Sequence, residues 1–416
     1  MPTVATIPFT AIGFVPVILL REVKPPVGGG KAGGANWAIF TNITLFGPLS
    51  IAFLLWLVHA YARQDGGSPG DALWVTLAAG LTTPLLVYSK TMFPQNLEAI
   101  ALMAMLLLAA RWRQSGSGIA ALALGLATAV GVMSRPIFPP VLLAPCYLLL
   151  AGQRSWRERV VALVLFAIPV ALAGGLVGGW NHIRWGSPFD FGRHRDEETF
   201  TTPLYEGLYG LLASPGKGLL IYAPALLVPL MLLRSLWQRG RAEVIFVLAA
   251  SFAYLGLYGC WYDWQGGLAW GPRFLIALIA PWLALLPRAF STSPIGAARL
   301  LLLIAAISGF SVQLPGVLLD PKWMIFSDGD AFDPSRSYVV TLAHVLFESG
   351  PDDLWLWDPT PSVRILKQGI ACAFLACVAW GTFALARRAA TPGETVGILI
   401  IPALAVAVEI GSFLVR

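Results

Sequence analysis

The sequence predicts an all-α protein, a polytopic transmembrane helix bundle of about thirteen spans with two long ordered external loops. Three observations carry this. Of 416 residues, 57% are hydrophobic and only 12% charged, about half the charge of an average soluble domain. Mean hydropathy is +0.72. The apolar residues fall in blocks of about 17–25, the length that crosses a hydrocarbon core as a helix. This composition excludes a soluble enzyme, a disordered chain and a disulfide scaffold, and residues 1–416 read as a single integral membrane domain.

The candidate spans lie near 3–20, 37–61, 72–92, 95–111, 117–134, 136–152, 159–180, 218–234, 243–262, 273–290, 299–318, 367–386 and 395–415. The first contains Pro8 and Pro16 and has no basic region before it, so it reads as a span rather than a cleaved signal peptide. Orientation follows from the connections. One alternating set holds Arg63; Arg111 and Arg113; Arg154, Arg157 and Arg159; Arg234, Arg239 and Arg241; Arg288 and Arg299; Arg387 and Arg388. Arginine-rich short loops face the cytoplasm. The other set, with the long loops 181–217 and 319–366, faces outward from a plasma or inner membrane. Within those loops the leucine spacing predicts short helices over 202–212 and around 338–348.

The net charge of +6 does not indicate nucleic acid, because the basic residues are scattered through loops. Cys146, Cys260, Cys372 and Cys377 lie in or beside apolar segments without metal-ligand spacing. His59, His182, His194 and His344 form no metal motif, and no P-loop, dinucleotide fingerprint or nucleophile elbow is present. No cofactor is expected from these motifs. Chemistry, if present, belongs at the outer rim.

Several constellations sit at that rim. Trp180 to Gly192 gathers His182, Arg184 and Asp190 just after a span, either as an interfacial anchor or as a polar mouth for a substrate. Ser214-Pro-Gly-Lys-Gly218 precedes a span; free backbone N–H groups and Lys217 suit an anion, while a snorkelling anchor is the plain alternative. Trp261 to Arg273 places Trp264, Trp270, Asp263 and Arg273 around a Gly-Gly turn. Flat aromatic faces suit sugar rings and a guanidinium fork suits phosphate; an aromatic belt with a tight turn is the plainer account. Lys90 and Arg135 each add a cation at an outward helix end. Asp328-Gly-Asp-Ala-Phe-Asp333 lacks the EF-hand glycine and glutamate and reads as a solvated acidic loop.

Together, Tyr88-Ser-Lys-Thr-Met-Phe93, Ser134-Arg-Pro136, Asn181-His-Ile-Arg-Trp-Gly-Ser-Pro188, Glu206 to Gly218 and Trp264 to Arg273 resemble a group of bacterial multi-span proteins. That group is similar to the GT-C glycosyltransferases, the class of the protein O-mannosyltransferases and aminoarabinose transferases. The resemblance runs from about residue 37 to 290. It implies a GT-C-like fold and transfer of a sugar from a polyprenyl-phosphate donor to a glycan, lipid or protein acceptor at the outer face.

It also implies a carboxylate base in the first external loop. The loop 21–36 offers only Glu22. Either the chain lacks the usual first span and acidic loop, which is the expectation adopted, or Glu22 is the base, or the chain is not catalytic. Asp263 and Glu206 are the reserve acids. The substrate-binding set is Lys217, Arg273, Arg135, Arg184, His182, Lys90, Trp264 and Trp270. The leaving phosphate requires cations or a divalent metal, a choice left open. The competing classes are a non-catalytic flippase for lipid-linked sugar and a membrane scaffold subunit.

Overall fold

The computed structural model describes residues 33–89, 91, 93–135, 138–151, 154–192, 199–290, 295–319 and 330–349, with side chains from residue 46 onward other than those of 139, 295–297 and 349. No strand occurs among the described residues. In chain order the helices are α1 (Gly33–Gln64), α2 (Pro69–Leu81), α3 (Leu85–Tyr88), α4 (Gln95–Ser115), α5 (Gly118–Ser134), α6 (Leu143–Leu150), α7 (Trp156–Trp185) and α8 (Leu204–Ala213). There follow α9 (Leu219–Tyr222), α10 (Leu227–Met231), α11 (Leu233–Gly259), α12 (Ile276–Ala284), α13 (Leu286–Phe290), α14 (Ile295–Leu318) and α15 (Tyr338–Ser349).

Local chemistry sets several boundaries. Ser68 Oγ accepts from Asp71 N at 3.0 Å, with Pro69 opening α2. Ser155 and Glu158 cap each other at the start of α7, a reciprocal pair that uses two otherwise orphaned N–H groups. The short helices expected in the two long loops are present as α8 and α15.

Five helical stretches are long and apolar enough to cross a membrane: Phe46–Gln64, Trp156–Trp185, Leu233–Gly259, Arg273–Phe290 and Ala298–Leu318. The larger number of spans read from hydropathy divides differently. The expected span 218–234 is divided into the single turn α9, a 3-10 turn opened by Pro224 and the short α10, and the 72–92 segment is interrupted after Leu81. The expected loop 234–242 is helical and kinked at Gly240, the start of α11 continuing through it. The segments 3–20, 367–386 and 395–415 lie outside the described residues.

The bundle buries an apolar core and also carries apolar residues on its outside. Val161, Val164, Ile168, Leu172 and Leu176 form an exposed stripe along α7, as do Ile119, Leu122, Leu126 and Val130 on α5. Such apolar stripes at helical spacing match a hydrocarbon surround rather than water. Every residue of α12 is buried, and α12 packs against α4, with α1, α2 and α11 around them. Although central, α4 has a polar first turn of Gln95, Asn96 and Glu98, all buried.

These two central elements define two ends. Glu98 and Arg113 on α4, and Arg273 and Arg288 along the α12 stretch, are each fifteen residue steps apart, about 22 Å of helix. At the Arg288 end, the guanidinium bridges Asp65 and Glu243, and Glu243 also pairs with Arg113. The network ties α1, α4, α11 and α13 together. Arg299 pairs separately with Asp71 at 2.7 Å.

Candidate functional site

The Arg273 end gathers most of the residues singled out from sequence. The chain leaves α11 and turns at Asp263, whose carbonyl accepts from Gly266 N at 3.0 Å and whose Oδ1 accepts from Gly267 N at 3.1 Å. Gly266 and Gly267 have φ of +75° and +63°, a left-handed pair that a side chain would strain. The turn directs the carbonyls of Gly267 and Ala269 at Lys217 Nζ, at 2.9 and 2.6 Å.

Lys217 is consequently 1% exposed, with its ammonium also 4.7 Å from the Tyr338 ring centroid. Burial, followed by the neighbouring charge of Arg273, lowers its pKa to about 7, with Asp263 opposing that shift. The N–H groups expected to be free in this turn already have partners. Gly216 N donates to the Ala331 carbonyl, Lys217 N to Ser214 Oγ and Gly218 N to the Ser214 carbonyl. The following helix α9 is a single turn. Lys217 is therefore a strut inside the loop cluster.

Arg273 is different. It follows Pro272 at the start of a 3-10 turn and is half-buried, with its guanidinium over Phe93 (5.3 Å) and Phe274 (4.9 Å). Its Nε is buried without a partner, and the side chain makes no hydrogen bond or ion pair among the described residues. Asp263 lies within electrostatic reach of both Arg273 and Lys217.

Arg135 caps the end of α5 and lies over the same ring, 5.0 Å from the Phe274 centroid, and 5.4 Å from that of Tyr258. It faces Glu98, Nε to Oε1 at 3.4 Å. Glu98 is 0% exposed, and its Oε2 accepts from the Tyr254 hydroxyl at 2.8 Å. Sequence reasoning passed over Glu98. The available signal was an acid in the first turn of a long apolar run, a position that demands a partner.

The two tryptophans belong to the frame. Trp270 donates from Nε1 to Gln313 Oε1 at 2.8 Å, stacks edge-on with Tyr222, and its carbonyl accepts from Tyr88 OH at 3.1 Å. Trp264 packs into the space left by Gly210 and against Phe332. Both are buried. Glu206 is half-buried in the first turn of α8.

His182 and Arg184 are exposed at the end of α7, which packs on α5 and α6; Arg184 stacks on Trp180 and Trp185. Glu22 and Lys90 lie outside the described residues. Among the described residues no group of three or more His, Cys, Asp or Glu converges as a metal site would require. Asp330 and Asp333 accept from N–H groups of their own turn. The cavities of about 760 and 360 Å³ open at the opposite, Arg288 end.

Comparison of the chain with protein-family models, curated proteins and solved structures finds no match. The arrangement itself defines what chemistry is available: one guanidinium without an ion pair among the described residues, two further cations beside it, and a carboxylate, Asp263, within the field of Arg273 and Lys217.

Proposed function

We propose that this chain transfers a sugar from a polyprenyl-phosphate-linked donor to an acceptor at the outer face of the plasma or inner membrane, as a GT-C-type glycosyltransferase. The observation that carries this reading is Arg273, a half-buried guanidinium with no hydrogen bond or ion pair among the described residues. A cation left so at the edge of an apolar bundle is costly unless an anion joins it. A lipid phosphate supplies that anion at the right depth. Lys217 shapes the loop behind it, and Arg135, held by Glu98, adds positive field.

In this scheme the acceptor hydroxyl oxygen bonds to the anomeric carbon as the carbon–oxygen bond to the polyprenyl phosphate breaks. The hydroxyl proton passes to a carboxylate, and Asp263 is the assigned base. The departing phosphate keeps its negative charge against Arg273. No nucleotide is needed, because the donor already carries an activated leaving group.

The test supplies purified protein with labelled polyprenyl-phosphate sugar and an extract of envelope acceptors. Expected are label in the acceptor, free polyprenyl phosphate as the second product, and loss of turnover with retained donor binding in Asp263→Asn. Donor carried across vesicle membranes without transfer would instead establish the flippase reading.

A further inference from the structure

The Arg288 end carries a second basic feature. A cavity of about 760 Å³ opens there, lined among others by Arg113, Arg239, Arg241, Arg288 and Glu243. Its size suits a small ligand or a lipid head group. An adjoining cavity of about 360 Å³ shares Arg239 and Arg288 and adds Asp65. Guanidinium groups outnumber carboxylates across the pair.

The carboxylates are already committed. Glu243 accepts from Arg113 Nη1 and from Arg288 Nη1, while Asp65 accepts from Arg288 Nε and Nη2. Three of the five N–H groups of Arg288 are therefore committed to these carboxylates. Arg113 gives Nη1 to Glu243, and its Nε is buried without a hydrogen-bond partner. Arg241 makes no hydrogen bond or ion pair among the described residues; its guanidinium lies 5.1 Å from the Trp237 ring centroid. Stacking on Trp237 fixes the plane of the fork and leaves its edge N–H groups available, the geometry that suits a tetrahedral oxyanion.

Gly240 completes the shape. The kink there (φ −156°, ψ 55°) brings the backbone of α11 against Arg288, and a Cβ at this position would overlap Arg288 Nη1. The close approach packs the paired arginine under the helix and leaves Arg241, one residue on, at the cavity rim.

We propose that this cavity binds a phosphate group, contributed either by the head group of an anionic phospholipid or by a soluble phosphorylated compound. The alternative is that these arginines only orient the chain, as arginine-rich connections do. Orientation requires charge on one side of a membrane but no saturable site, so the two accounts separate by experiment.

The experiment follows the thermal unfolding of the full chain in detergent micelles. One titration adds pyrophosphate; the other adds phosphatidylglycerol, with phosphatidylcholine as the neutral comparison. Saturable stabilisation by pyrophosphate identifies a soluble source, and stabilisation by phosphatidylglycerol alone identifies a lipid source. Either supports the site only if Arg241→Gln weakens that ligand about tenfold or more, the usual loss for a charge-assisted contact. Arg241 has no ion pair to break among the described residues, so this variant should fold normally. Arg157→Gln, exposed on α7, should bind like wild type. No saturable stabilisation in wild type, or unchanged affinity in Arg241→Gln, would overturn the proposal.

Discussion

Arg135 and Arg273 share one aromatic ring: their guanidinium carbons lie 5.0 and 4.9 Å from the Phe274 centroid. Their surroundings then diverge. Arg135 faces the buried carboxylate of Glu98, whereas Arg273 makes no ion pair among the described residues. Two cations on one ring are tolerable only if negative charge is near, and Glu98 supplies it for one of them. The asymmetry divides the pair into a cation matched within the fold and one without an ion pair among the described residues, the one that the proposed function gives to a ligand.

Glu98→Gln should destabilise the protein by about 3–5 kcal/mol, because it leaves Arg135 buried without a counter-charge. Glu98→Leu combined with Arg135→Met should recover much of that loss, since a buried ion pair replaced by apolar groups is often neutral. Unfolding of the detergent-solubilised variants checks both. A double variant as unstable as the single one would show that the pair is not what matters there.

Lys217 should make stability rise with pH. The folded state releases its proton near pH 7, whereas an unperturbed lysine holds it to about 10.5. Between those values the unfolded state binds more protons, so stability increases as pH climbs. Below about pH 7 both states are protonated and the full cost of burying the charge remains. Unfolding midpoints measured from pH 6 to 9.5 should climb in wild type and flatten in Lys217→Met. Equal slopes would contradict a buried, depressed ammonium.

Gly240→Ala should be destabilising, by about 1–3 kcal/mol, because the added Cβ forces the end of the Arg288 side chain to shift beside Asp65 and Glu243. Gly256→Ala is the matched control: it lies on the same helix, and nothing stands within 4 Å of its would-be Cβ. That control should be neutral or slightly stabilising. Similar melting temperatures for the two variants would refute the crowding argument.

Orientation has its own test. Cysteine-accessibility or reporter insertions at Arg157 and Arg239 should report the cytoplasm, and insertions at Asp190 and Phe332 the exterior. The reverse at both pairs would invert every assignment of face.

The apolar, helical character of the chain was legible in the sequence, because apolar blocks and polar connections need only counting; the number of spans was not, since five described stretches are long and apolar enough to cross a membrane. The span expected at 117–134 is observed as the shorter apolar helix Gly118–Ser134, and the loop helices follow their leucine spacing. Depth was not legible. Ser214 to Gly218 has the composition of an open anion turn, yet carbonyls fifty residues away draw Lys217 inward. Trp264 and Trp270 look like stacking platforms until Gly210 and Gln313 are brought against them. The loop expected at 234–242 is helical because it holds no proline and only one glycine, at the kink. Glu98 was missed because its partners, Arg135 and Tyr254, lie far along the chain and only packing joins them.

The most direct test of the central claim is binding of polyprenyl phosphate to wild type and to Arg273→Lys, with the melting temperature of each measured alongside. A guanidinium that holds a phosphate through two N–H groups is not replaced by an ammonium. The expected result is a roughly ten- to hundredfold loss of affinity in Arg273→Lys at an unchanged melting temperature. Equal affinity in both proteins would contradict the assignment of Arg273 to the donor phosphate, and with it the proposed site.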